Sequence, residues 1–245
     1  MVDSMVVGYG CLMKSAEKAG VEEEPTKFDK WLEKKLGSEA FQKAIVGIAV
    51  AMGLLLSIGL FFLLPMVIGG FFDKIITSTL LLNLVEGVIR MVIFMAYMIL
   101  VPRMPDMKRV FSYHGAEHKT IRCYEARLPL TVENVRKMTR LHPRCGTSFL
   151  ILVVIVSVFL YSVLPWSSTS LRVVFKLLLL PLVMGISYEL LKWCGRSDNI
   201  ATRIIRQPGI WVQHLTVFEP DDSMIEVAIA AVTPVLPEDP EDGRW

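Results

Sequence analysis

Four apolar runs, each closed or interrupted by a proline, constrain this chain more than any other feature. Ala44 to Leu64 carries no charge and stops at Pro65. A second run covers Leu80 to Val101 and stops at Pro102, and a third covers Gly146 to Leu164, just before Pro165. The fourth covers Val173 to Trp193, with a kink expected at Pro181. A helix of about 20 apolar residues matches the thickness of a bilayer's hydrocarbon core. Inside a bilayer only helices and closed barrels satisfy every backbone polar group. Hydrophobic residues make up 53% of the 245 and charged residues only 20%, with a mean hydropathy of +0.50. That is more apolar than a soluble domain. The expected fold class is therefore an all-α membrane protein with about four transmembrane helices, its partner the lipid bilayer.

The basic residues set the expected orientation. Residues 102–146 hold ten Lys and Arg, against the single Lys74 between the first two runs. The positive-inside rule places that loop in the cytoplasm, and four spans then place both termini there too. The expected location is the inner membrane of a bacterium. The chain divides into 1–40, a cytoplasmic amphipathic segment; 41–101, a first transmembrane hairpin; 102–146, a cytoplasmic helical loop; 147–194, a second hairpin; and 195–245, an acidic cytoplasmic tail. In the first segment Phe28, Trp31, Leu32 and Leu36 share a helix face among lysines, either in the headgroup region or packed on protein. No cleavable signal is evident. In the tail, Gln207-Pro208-Gly209 reads as a turn, and Trp211 to Phe218 as a strand or an interfacial segment. Ser223-x-x-Glu226 reads as a capping box for a helix through Val232, and the last dozen residues as disordered.

Net charge is only +2, which gives no case for nucleic acid as a partner. Cys11, Cys123, Cys145 and Cys194 form no Cys-x-x-Cys pair, so reduced thiols are expected. Glu86 and Arg90 stand one turn apart within the second run, in the order that favours an ion pair. They are either a buried intramembrane pair or two interfacial charges.

The chemistry concentrates in the 102–146 loop, between Tyr113-His-Gly-Ala-Glu-His-Lys and Leu141-His-Pro-Arg-Cys-Gly-Thr. If His114 to Glu125 is helical, His114 and His118 share a face with Glu117 beside them. Two imidazoles so spaced can grip one metal ion while the carboxylate serves as general base, the His-x-x-Glu-His pattern. His142 and Cys145 are spaced as a second ligand pair, with Cys123 between. Imidazole and thiolate favour zinc. A helix from Thr131 to Leu141 is expected, capped by Thr131, with Leu130 stapled to Val135. Two chemistries stay open. In the catalytic one, His142 or Glu189 is the third ligand and Glu117 the base. In the structural one, His114, His118, His142 and Cys145 close a tetrahedron and only shape the loop.

At His114-Gly-Ala-Glu-His-Lys-Thr and Leu141-His-Pro-Arg-Cys-Gly-Thr-Ser-Phe the chain resembles the YqhQ-type family of bacterial membrane proteins. The resemblance extends through Asn83-Leu-Val-Glu-Gly-Val-Ile-Arg, Tyr188-Glu-Leu-Leu-Lys and Glu219-Pro-Asp-Asp-Ser-Met-Ile-Glu-Val-Ala. It implies a metal-dependent enzyme, a description that rests on these same residues. The family's usual Gly-Gly-Gln-Ala-x-x-Glu-Gly-x-Met opening does not precede Met1-Val-Asp-Ser here. The functional expectation is a metal-dependent hydrolase acting at the membrane surface. The alternative is a non-catalytic membrane scaffold with a zinc-stabilised loop.

Overall fold

The structure, a computed structural model, describes residues 38–165 and 168–237, together with Val7, Gly8, Gly10, Cys11 and Lys14. The amphipathic helix expected at Phe28–Leu36 and the chain end from 238 onward lie outside the described residues. Two compact units cover residues 1–60 and 61–245. In the first, α1 (Ser38–Ile58) is apolar along nearly its whole length. The π-helical stretch Gly59–Leu63 and α2 (Leu64–Gly70) follow.

The second unit continues with α3 (Thr79–Leu100), a 3₁₀ turn at Val101–Arg103, α4 (Pro105–Glu125) and α5 (Val132–Arg136). Next come α6 (Gly146–Ser162), α7 (Thr169–Arg196), α8 (Ile200–Thr216) and α9 (Asp222–Val232). The described residues contain no strand. Three stretches are long and apolar enough to cross a membrane: Ala44–Gly70, Thr79–Arg103 and Ser170–Arg196. They point to a membrane protein. The third apolar run forms a shorter helix of 17 residues, α6.

α6 lies at the centre, packed on α3, α7 and α8. Phe94, Met98, Ile151 and Val212 bury one core between α3, α6 and α8, and Val156, Tyr161 and Val183 another between α6 and α7. The turn expected at Gln207-Pro208-Gly209 is instead the middle of α8, and Trp211 lies on that helix rather than on a strand. Packing overrides the local breakers here. A Cβ on Gly209 would lie 2.5 Å from the Ser148 hydroxyl, so glycine lets α8 press against α6. An Asn199–Thr202 capping box starts the helix.

Glu86 and Arg90 are paired at 2.9 Å and both are buried within the protein. They are not an isolated pair. Arg172 and Lys176 from α7 also reach the Glu86 carboxylate. Arg90 Nε donates to the Phe61 carbonyl (2.9 Å) and its Nη1 to Ser157 Oγ (3.2 Å). Phe61 is the residue four before Pro65, so its carbonyl lacks the usual helical donor. The proline that interrupts the first apolar run thus leaves an acceptor for the buried arginine.

A third core forms where α4, α5 and α9 meet: Ala116, Cys123, Val135 and Ile225, with Leu130 packed against them. Thr131 caps α5 by accepting from the Asn134 amide (3.3 Å). α5 ends at Arg136 rather than at Leu141, and the turn after it is fastened to α4. Lys119 Nζ donates to Arg136 O (3.0 Å), His118 Nδ1 to Arg140 O (2.6 Å) and Arg122 Nε to Leu141 O (3.2 Å). The cap of α9 is Asp221, which accepts from the Met224 amide (2.9 Å), rather than Ser223. Replacing Thr131 by Ala should cost about 1 kcal/mol of stability. Denaturant unfolding of the full chain measures it, and an unchanged midpoint would show that the cap contributes nothing.

Candidate metal centre

The helical stripe of α4 forms one wall of the site. Residues three and four apart share a face, so His114, Glu117, His118, Ile121, Tyr124 and Glu125 all border one cavity of about 280 Å³. The facing wall is the turn from His142 to Gly146. Pro143 bars helix at His142, and Gln213 holds that backbone open. The His142 amide donates to Gln213 Oε1 (2.8 Å), while Gln213 Nε2 donates to His142 O (2.7 Å) and Ser148 Oγ (2.8 Å). Cys145 then caps α6, its sulfur accepting from the Thr147 amide (3.4 Å).

Three donors converge across this cleft. The His114 and His118 rings lie 4.4 Å apart, centroid to centroid. Cys145 Sγ is 3.2 Å from His114 Nε2. One ligand atom from each of the three lies within 4.8 Å of the others. The tautomers suit metal binding. His114 Nδ1 faces the Thr216 carbonyl (3.1 Å) and His118 Nδ1 the Arg140 carbonyl (2.6 Å). A carbonyl only accepts, so each Nδ1 carries a proton and each Nε2 faces the cleft, where it donates to the Cys145 thiolate or, once deprotonated, offers a lone pair. A backbone carbonyl orienting an imidazole from behind is the usual outer support of a metal-bound histidine.

The charges agree. Burial opposes ionisation of Cys145, but hydrogen bonds from His114, His118 and Thr147 outweigh it and lower the thiol to about 5. Burial likewise disfavours the charged form of His114, yet the bond to Cys145, the nearby sulfur charge and the Thr216 carbonyl raise it overall. The thiolate is the ligand form. Tyr124 also borders the cavity, and its hydroxyl is buried without a hydrogen-bond partner.

His142 is beside the site but outside the donor set. Its Nδ1 accepts from the Arg144 amide (3.3 Å), so its Nε2 carries the proton and faces both oxygens of Glu125 (3.2 and 3.3 Å). No lone pair remains for a metal. Cys123 is buried on the other side of α4, where burial raises its thiol pKa and its sulfur faces the Pro129 carbonyl (3.6 Å). Glu189 is exposed on α7 and does not border the cavity. Of the anticipated residues, the structure brings together His114, Glu117, His118, His142 and Cys145.

Glu125 is an addition. It bonds His142 and Arg144, and the hydrogen bond from His142, opposed by burial and helped by the charges of Arg144 and Arg122, lowers its pKa. Its place seven residues after His118 on the same stripe was the available signal.

The family model for proteins of unknown function DUF1385 matches residues 1–238. The chain belongs to this family. It is 34% identical over 237 residues to the uncharacterized protein YqhQ of Bacillus subtilis (strain 168), an alignment covering 96% of this chain and 74% of that protein. No solved structure matches the chain.

Proposed function

We propose that the chain is a four-span protein of the bacterial inner membrane, with residues 102–146 and both termini cytoplasmic, carrying a hydrolytic divalent-metal site. The observation that carries this reading is the convergence of His114 Nε2, His118 Nε2 and Cys145 Sγ at a cavity wall, with both Nδ1 atoms tied to carbonyls. Two nitrogens and a sulfur favour zinc, and three protein ligands are the number typical of catalytic sites. A bound ion would supply Lewis acidity beside the cavity.

The protein groups divide the remaining work. Glu125 is held by His142 and Arg144, so it is a poor base and a good fixture for the turn. Glu117 is exposed on the cavity wall. Its carboxylate takes the proton from a water entering the cavity and delivers it to the leaving group. The committed nitrogens of His142 favour this arrangement over a closed His₃Cys tetrahedron.

The test uses purified full-length protein and an extract of bacterial membrane lipids, with products read by mass spectrometry. Glu117→Gln should keep its metal and lower turnover by about 10²- to 10⁴-fold. Turnover equal to the parent's, or no turnover by a metal-loaded parent, would favour the non-catalytic scaffold.

A further inference from the structure

We propose that the outer face of α8 and the notch beside it bind one anionic phospholipid of the surrounding bilayer. The inference rests on the reading of α7 as a span. That span ends at Arg196, and α8 begins four residues later, so α8 starts at the membrane surface. Its inner face is anchored there by Val212, packed against Phe94, Met98 and Ile151 from the apolar helices. Its outer face is uncovered: Ile200, Ile204 and Trp211 are 78%, 67% and 63% exposed. With Pro208 they line an apolar groove of about 500 Å³.

A polar notch of about 390 Å³ adjoins this groove and shares Arg203 and Gln207 with it. Arg122, Arg203 and Arg206 border the notch against one carboxylate, Asp198. Asp198 meets Arg203 and Arg206 at 2.7 Å each. The Arg203–Asp198 pair is open to solvent, 61% and 58% exposed, so a phosphate reaches the guanidinium groups beside the carboxylate. Guanidinium groups match phosphate oxygens, and basic groups at a membrane surface attract anionic headgroups.

A polar notch opening into an apolar groove fits an amphiphile: the headgroup on the arginines, an acyl chain along Ile200, Ile204 and Trp211. Pro143 borders the notch, while its neighbours His142 and Arg144 border the metal cavity. A lipid held on α8 lies across that turn from the metal cavity, which makes anionic phospholipids the first substrate class to test.

The experiment titrates full-length protein in dodecyl maltoside micelles with dioctanoyl phosphatidylglycerol, dioctanoyl phosphatidylcholine or inorganic phosphate. Calorimetry reads binding, and metal content is measured on each sample. The glycerol lipid should bind one per chain, with the choline lipid at least about tenfold weaker and phosphate weaker still. Replacing Arg203 and Arg206 together by Gln should weaken it about thirtyfold, from about fivefold per charge. Ile204→Ser with Trp211→Ser should weaken both lipids. Asp198→Asn should tighten phosphatidylglycerol several-fold, which decides the matter if the arginine variant does not fold. Equal binding of the two lipids, phosphate binding as tightly as the lipid, or no tightening in Asp198→Asn would overturn the proposal. Metal retained without lipid selectivity counts against this proposal alone. Selective lipid binding without metal counts against the metal centre alone.

Discussion

Gly115→Ala should unseat the Thr216–Pro220 segment from α4 and weaken metal binding without touching a ligand. A Cβ at Gly115 would lie 1.9 Å from the Phe218 carbonyl oxygen and 3.4 Å from Pro220 Cδ. The obstacle is backbone, not a side chain that can swing away. To restore an ordinary contact of 3.4 Å the segment must retreat by about 1.5 Å. That breaks the Phe218 amide bond to the Phe111 carbonyl (3.0 Å) and draws the Thr216 carbonyl off His114 Nδ1. Overpacking of this kind costs about 1–3 kcal/mol, and each lost hydrogen bond about 1 kcal/mol more. Losing the support behind a metal histidine typically lowers affinity about 10- to 100-fold. A thermal melt and a zinc titration of the variant read both effects. A wild-type melt with wild-type affinity would mean that the segment does not lie against Gly115.

Glu86→Ala should be the most damaging single change in the apolar core. Glu86 is 2% exposed and receives Arg90, Arg172 and Lys176. Removing it leaves three cations clustered in a low-dielectric interior, and losing one partner of a buried pair costs about 3–5 kcal/mol. Arg90→Ala should be milder, because Glu86 keeps two partners. Removing Glu86 and Arg90 together should not restore stability, because two cations remain. Folded yield and melting temperature of the three variants in detergent give the order. A double variant as stable as the parent would reduce the cluster to an isolated pair.

Much of this architecture was legible because it depends on local rules. Apolar runs mark the long helices, although the first continues as helix past Pro65 to Gly70 and the third makes only the 17-residue α6. His114 and His118 fall on one face of α4 from their spacing alone. The third donor was not legible. His142 and Cys145 sit three residues apart on the same turn, and nothing local separates them. The separation comes from Glu125 and the Arg144 amide, which occupy both nitrogens of His142, while the start of α6 and His114 draw the Cys145 sulfur inward. The early end of α5 was hidden for a similar reason: the turn after it is fastened to Lys119, His118 and Arg122, far back in the chain. At Pro208-Gly209 the breaker residues were visible, but the α6 surface that makes glycine useful within a helix was not. The role of the tail was invisible too, because only packing shows that α9 completes the core of α4 and α5 and that Thr216 orients His114.

The most direct measurement is the divalent-metal content of purified full-length protein and four variants, by mass spectrometry after equilibration with zinc and removal of excess. The predicted result is about one ion per chain in the parent, in Glu117→Gln and in His142→Ala, and background levels in His118→Ala and Cys145→Ala. Background metal in the parent, or equal loss in His142→Ala and His118→Ala, would contradict a centre built from His114, His118 and Cys145.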